Sequence, residues 1–256
     1  MSELFNIAGK HVLITGGAQG LGHMIAQEFL RRGAHVTITS RTAEVSQQAA
    51  GSLQALGDCT GLVADLSQPE GAVALADQIK AGGQPLHVLI NNAGASAGGP
   101  IETLSDKSWS DLMSINVQSP FTLIRELLPV LRETATQDDP ARIINLGSFV
   151  GLAVPLRPSF SYGASKAAIH HLTRMLAAEL APSHTAVNAI APGYFSTRMT
   201  AAIDKAHMDD IPNRVPLGRL GRPDDIAGAC VYLCSSAGAY LTGVVLPVDG
   251  GLSGAR

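Results

Sequence analysis

Residues 11–22 read His11-Val-Leu-Ile-Thr-Gly-Gly-Ala-Gln-Gly-Leu-Gly22. The run from His11 to Thr15 is short, largely apolar and of strand length, and it stops in a cluster of glycines. From Leu21 to Arg32 the apolar residues return with helical period, so Leu21, Ile25, Ala26, Phe29 and Leu30 share one face. Strand, glycine turn and helix, in that order, form the local frame in which a nucleotide pyrophosphate is held. Gly16 permits the tight turn, Gly20 lets the backbone approach the pyrophosphate, and Gly22 allows helix and strand to pack closely. The positive end of the helix then faces the phosphates.

Outward from this unit the alternation repeats. His35–Thr39 is a second strand, Thr42–Leu56 a helix, and Gly61–Asp65 a third strand ending in an acid. Ser67-Gln-Pro-Glu70 has the form of a capping box and opens a helix to about Ala81. Gly82-Gly83-Gln84-Pro85 breaks it, and Leu86–Ile90 is a fourth strand leading into Asn91-Asn92-Ala93-Gly94. A loop containing Ser96 follows, polar enough to rim a pocket. One helix is expected from about Ser105 to Arg132, containing Asn116, kinked at Pro120 and fraying near Pro129. Arg142–Leu146 is a fifth strand with Gly147-Ser148 just beyond it. Tyr162–Leu180 reads as a helix, Thr185–Ile190 as a sixth strand, Pro223 to about Leu233 as a helix and Gly243–Asp249 as a seventh strand. Between Arg198 and Pro216 the pattern is irregular, short helical pieces at best. The segment of about 194–216 therefore reads as a substrate loop, with Tyr194, Phe195, Met199 and Ile203 facing a pocket. Strands that are apolar throughout rather than alternating imply a parallel sheet covered on both faces. The fold class is α/β: a single doubly wound Rossmann domain over residues 1–256, with about seven parallel strands flanked by helices.

The bulk numbers fit. A chain of 256 residues with 46% hydrophobic residues can bury a large core. A net charge of −3 with 15% charged residues argues against a nucleic-acid partner, which needs a basic face. No apolar run reaches the roughly 20 residues of a membrane span, and the N-terminus lacks the pattern of a signal peptide. Cys59, Cys230 and Cys234 form no CxxC and read as buried small hydrophobes, not metal ligands, which suits a reduced, cytoplasmic setting.

The second strand ends in Ser40-Arg41. An acidic residue there would hold an adenosine ribose hydroxyl. A guanidinium instead pairs with a 2′-phosphate, so the cofactor expected is NADP(H). Tyr162-Gly-Ala-Ser-Lys166 puts a phenol and an ammonium one helical turn apart. The ammonium is expected to favour the phenolate and lower the tyrosine pKa, suiting proton exchange at a carbonyl or alcohol carbon. In an open parallel sheet ligands bind beyond the carboxyl ends of the strands, where Ser148 falls.

Taken together, TGGAQGLG at 15–22, Asp65, NNAG at 91–94, Asn116, Ser148, YGASK at 162–166 and PGYFST at 192–197 resemble the short-chain dehydrogenase/reductase family over essentially the whole chain. The resemblance implies a catalytic set of Asn116, Ser148, Tyr162 and Lys166. Tyr162 would exchange the proton, Ser148 would bond the substrate oxygen, and Asn116 would order a water beside Lys166. Gly16, Gln19, Gly20, Leu21, Gly22, Ser40 and Arg41 would line the cofactor, with Lys166 also on its ribose. Asp65 and Leu66 would meet the adenine, Asn92, Ala93 and Gly94 the ribose region, and Pro192, Gly193 and Thr197 the nicotinamide end. Ser96, Phe149, Tyr194 and Phe195 would border the substrate. Gln19 departs from the basic residue many NADP-dependent relatives carry before the middle glycine, leaving Arg41 largely alone on the 2′-phosphate.

Within the family, Gly57-Asp58-Cys59, Pro140-Ala-Arg142, Ile190-Ala-Pro-Gly193, Arg198-Met199-Thr200 and Gly218-Arg-Leu-Gly-Arg-Pro223 are similar to bacterial 3-oxoacyl-[acyl-carrier-protein] reductases, nearest the branch associated with rhamnolipid and polyhydroxyalkanoate precursor supply. The implied substrate is a small ketone or a 3-oxoacyl thioester, with an acyl carrier protein as a further partner. Sugar and polyol reductases share most of the motifs and are the alternative. A protein that binds cofactor without chemistry would be expected to lack the tyrosine or the lysine. The family also implies a homotetramer built through the helices near 105–132 and 162–180 and the C-terminal strand.

Overall fold

The computed structural model describes residues 3–155, 158–197 and 205–255. Seven strands form one sheet: β1 (His11–Ile14), β2 (His35–Ser40), β3 (Cys59–Val63), β4 (Val88–Asn91), β5 (Ala141–Leu146), β6 (Thr185–Pro192) and β7 (Val245–Val248). Their spatial order is β3-β2-β1-β4-β5-β6-β7, and every pairing is parallel. The order reverses between β1 and β4, and this switch point is where a doubly wound sheet opens a crevice beyond its strand ends.

Side chains alternate across the strands. Val12 and Ile14 point to one face with Val36, Ile38, Ile90 and Ile144. They pack under α1 (Gly20–Arg31), α2 (Ala43–Leu53) and α8 (Pro223–Cys234) through Ile25, Phe29, Leu53, Ile226 and Cys230. Leu13, Leu89, Ile143 and Val187 point the other way. They meet α3 (Pro69–Ala81), α5 (Ser119–Thr134) and α6 (Phe160–Leu180) through Leu75, Leu123, Leu127, Leu131 and Leu180. Each such burial contributes on the order of 1.5–3 kcal/mol, which makes these two layers the main apolar stabilisation.

Three expectations about the helices are corrected. The helix expected over 105–132 is α4 (Asp106–Met113), a π-turn at Ser114–Gln118, and then α5. Pro120 sits in the first turn of α5, where a missing N–H does no harm, so it does not kink the interior. The Ser67–Glu70 capping box does not form. Gln68 is the N-cap and offers no side-chain bond, while the Ser67 N–H donates to Asp65 Oδ1 at 3.0 Å. Within the irregular 198–216 region, α7 spans Lys205–Arg214 with Pro212 inside it; Met199 and Ile203 lie outside the described residues. Here Ile211 is buried with Val215, Phe149 and Leu252, and Asp210 pairs with Arg214 one turn on.

Candidate active site

The glycine turn between β1 and α1 bends as its residues require. Gly16 (φ 64°) and Gly20 (φ 58°) adopt left-handed backbone that glycine enters without strain. A Cβ on Gly22 would stand 2.4 Å from Asn92 Nδ2, so only glycine fits against the fourth strand's end. The turn is tied to β2 and β4 by the side chains of Thr15, Thr39 and Asn92. Thr15 Oγ1 accepts from the N–H groups of Asn92 and Ala93, each at 3.0 Å, and Thr39 Oγ1 accepts from the Gly16 N–H at 3.1 Å. Asn92 Nδ2 donates to the carbonyls of Thr15 (2.8 Å) and Gly16 (3.2 Å). Asn92 thus braces the glycine turn from β4.

Beyond the carboxyl ends of the strands lies a cleft of about 440 Å³. Its walls include Gly16, Gln19, Gly20 and Leu21 from the turn, Ser40 and Arg41 after β2, and Asp65 and Leu66 after β3. Asn92, Ala93 and Gly94 after β4, together with Tyr162, Lys166 and Thr197, complete it. The sequence-predicted residues are therefore brought together, with exceptions. Gly22 is behind the wall, against Asn92. Gly193 packs on β7, where a Cβ would lie 2.7 Å from Asp249 Cα, and Pro192 is buried at the end of β6. The cleft fits a dinucleotide: α1 opens onto it at its N-terminus, and the glycine backbone leaves room for close approach. Arg41 is exposed at its rim, with no carboxylate partner among the described residues.

The chemistry-bearing side chains gather at one end. Ser148 lies beside Tyr162, near enough to act on its pKa. Lys166 is 6% exposed, and its Nζ donates to the Leu146 carbonyl at 2.8 Å while lying 5.6 Å from the Tyr162 ring centre. Burial pushes the Lys166 ammonium down to about 8. Burial raises the Tyr162 pKa, and Ser148 opposes that only in part. The expected lowering of Tyr162 by Lys166 is thus reversed in direction. The ammonium faces the Leu146 carbonyl and the ring, and taking the phenolate out of water dominates.

The π-turn turns Asn116 inward, where it is 2% exposed. Its Oδ1 accepts from the Ala95 N–H (3.0 Å), and its Nδ2 donates to the Ala95 carbonyl (2.9 Å) and to Ser165 Oγ (3.0 Å). Gly94 is needed for this approach, since a Cβ there would be 2.8 Å from Asn116 Oδ1 and 3.6 Å from Lys166 Nζ.

The substrate-side expectations separate. Phe149 follows Ser148 directly and meets Tyr194 in a tilted ring contact with centres 5.1 Å apart, in a buried cluster with Ile211, Val215 and Leu252. Phe195 is 3% exposed and packs on Gly221, so it belongs to the core. Ser96 is exposed and lies outside the cleft wall.

A doubly wound sheet, a glycine turn at its switch point and a Ser–Tyr–Lys cluster beside the resulting cleft define a nucleotide-dependent oxidoreductase. The sequence profile described as enoyl-(acyl carrier protein) reductase matches residues 16–253. The chain is 44% identical over 253 residues to the rhamnolipids biosynthesis 3-oxoacyl-[acyl-carrier-protein] reductase of Pseudomonas aeruginosa, covering 98% of this chain and 99% of that one. It superposes on the Pseudomonas aeruginosa RhlG/NADP active-site complex with a TM-score of 0.95 at 44% identity, covering 99% of this chain and 100% of that chain. It is also 33% identical to a gluconate 5-dehydrogenase of Gluconobacter oxydans, over 98% of this chain and 97% of that one. The chain belongs to the short-chain dehydrogenase/reductase family. Among the described residues no helix is long and apolar enough to cross a membrane.

Proposed function

We propose that this protein is an NADP(H)-dependent reductase that converts the ketone of a 3-oxoacyl thioester to a secondary alcohol. The observation that carries the reading is Ser148 beside Tyr162, with Tyr162 and the buried Lys166 lining the cleft. When bound, the reduced nicotinamide supplies the hydride for the carbonyl carbon. The protein's part is the oxygen. Ser148 and Tyr162 aim O–H donors at the carbonyl oxygen, where negative charge grows in the transition state. Tyr162 then gives its proton to that oxygen. A phenol raised by burial is reliably protonated at neutral pH, as an acid for reduction must be. The Lys166 ammonium offsets the phenolate left behind and returns a proton to it, and Asn116 shapes the route by which Lys166 then regains one from solvent. Arg41 takes the 2′-phosphate.

One finding supports an acyl substrate over a polyol. The relative named above for rhamnolipid biosynthesis bears a 3-oxoacyl reductase name. An acyl carrier protein as the thioester's carrier, a homotetrameric assembly and a cytoplasmic setting belong to the same proposal. The test is a kinetic screen with NADPH against 3-oxoacyl thioesters of several chain lengths, together with 5-ketogluconate and ketohexoses. Turnover is expected to favour the thioesters; preference for the sugars would overturn the substrate assignment and leave the redox class standing.

A further inference from the structure

We propose that His170 is a positioning residue for Ser148: through Nε2 its imidazole holds the backbone from which the Ser148 hydroxyl is aimed at Tyr162. This rests on the roles given to Ser148 and Tyr162 above.

His170 lies on α6, one turn beyond Lys166, and is 2% exposed. Its Nε2 accepts from the Ser148 N–H at 3.4 Å. The ring is gripped by the turn that carries the serine. A Cβ on Gly147 would fall 1.9 Å from Nε2, and one on Gly151 would fall 2.9 Å from Cε1 and 2.7 Å from the Lys166 carbonyl carbon. The same turn is closed by the Gly151 N–H donating to the Ser148 carbonyl at 3.0 Å, and by the Val150 N–H donating to Ser148 Oγ at 3.4 Å. Imidazole, turn and hydroxyl therefore move as one unit.

A leucine would fill this side of the helix without burying Nδ1, a polar atom that makes no close hydrogen bond here. What histidine adds is an acceptor for the Ser148 N–H, which requires Nε2 bare and the proton on Nδ1. Protonation would set an N–H against an N–H. Burial first, then the Lys166 charge and, more weakly, Arg174 hold the imidazole at about 4 against the opposing Gly151 carbonyl, so the acceptor form persists through neutral pH.

His170→Leu should lower kcat on the order of 10–100-fold, the scale of a displaced catalytic group, while leaving the KM for NADPH unchanged. His170→Gln, which keeps an acceptor, should recover part of the loss. In a Ser148→Ala background His170→Leu should add little, because both changes remove one unit. Full additivity, or an unchanged kcat in His170→Leu, would overturn the proposal. If Ser148→Ala alone turned over at the wild-type rate, the reading of the site would fail instead. Should the leucine variant not fold, imidazole nitrogen shifts of the unaltered protein decide: His170 must be the Nδ1–H tautomer, and an Nε2–H tautomer sinks the idea.

Discussion

At Arg41 a guanidinium stands exposed where β2 ends, beside Ser40, whose hydroxyl donates to the Thr42 carbonyl at 2.8 Å. No acid occupies the position that would bind a free ribose hydroxyl. Removing the guanidinium and adding a carboxylate replaces attraction for a 2′-phosphate with repulsion. Arg41→Asp should raise the KM for NADPH by roughly 10–100-fold, the scale of a charge-assisted bond, and leave that for NADH nearly unchanged. Initial-rate kinetics with both cofactors check this, and equal effects would remove Arg41 from 2′-phosphate recognition. Single residues also mark what sequence could and could not convey. The Tyr162–Lys166 spacing placed both groups at the cleft, but the direction of the tyrosine's shift was hidden. It depends on how much protein surrounds the hydroxyl and on where Nζ points, and neither is encoded in a four-residue interval. His170 was equally hidden, because its partner is a backbone N–H on another element.

Among the elements, the π-turn between α4 and α5 is the one that shapes the site. It interrupts a helical pattern whose apolar residues keep their period on both sides, so the sequence reads as one long helix. Only the wider turn brings the Asn116 amide against the Ala95 backbone and Ser165, joining the loop after β4 to α6. Asn116→Ala leaves those buried groups without partners, at a cost of about 1–3 kcal/mol. A fall in Tm of roughly 2–4 °C per kcal/mol is expected in a thermal melt. An unchanged Tm would mean that the three bonds do not tie these elements together. The strands and the glycine turn were legible because buried parallel strands and tight turns leave strong local signals. The helix α7 was not, since Asp, Asn and Pro mask its period while Ile211 is held by contacts from β5's following loop and the C-terminal segment.

The whole molecule is polarised along its sheet. The cleft lies at the carboxyl ends of the strands; a histidine cluster lies at the amino ends. His11 stacks on His35 with ring centres 4.5 Å apart and approaches His87 at 5.9 Å, and the His11 N–H donates to His87 Nδ1 at 3.0 Å. Burial, chiefly, lowers the pKa of His11, His23 and His87 below the usual value and holds His170 at about 4. For these groups the unfolded chain binds protons more readily than the folded one. Stability is therefore full above the unfolded histidine pKa of about 6.5 and is lost as pH falls below it toward the folded values, by up to about 1.4 kcal/mol per pH unit for each histidine. Melting curves between pH 4.5 and 7.5 should show Tm rising with pH and levelling off near neutrality. A Tm that rises on acidification in this window would contradict the assignment.

The central claim is that Tyr162 supplies the proton to the substrate oxygen. Tyr162→Phe keeps the ring over Lys166 and removes only the hydroxyl. NADPH-dependent turnover of the best thioester should fall about 10²–10⁴-fold. NADPH binding, followed by fluorescence titration, should remain as in the unaltered protein. A phenylalanine variant that turns over at the wild-type rate would contradict the mechanism.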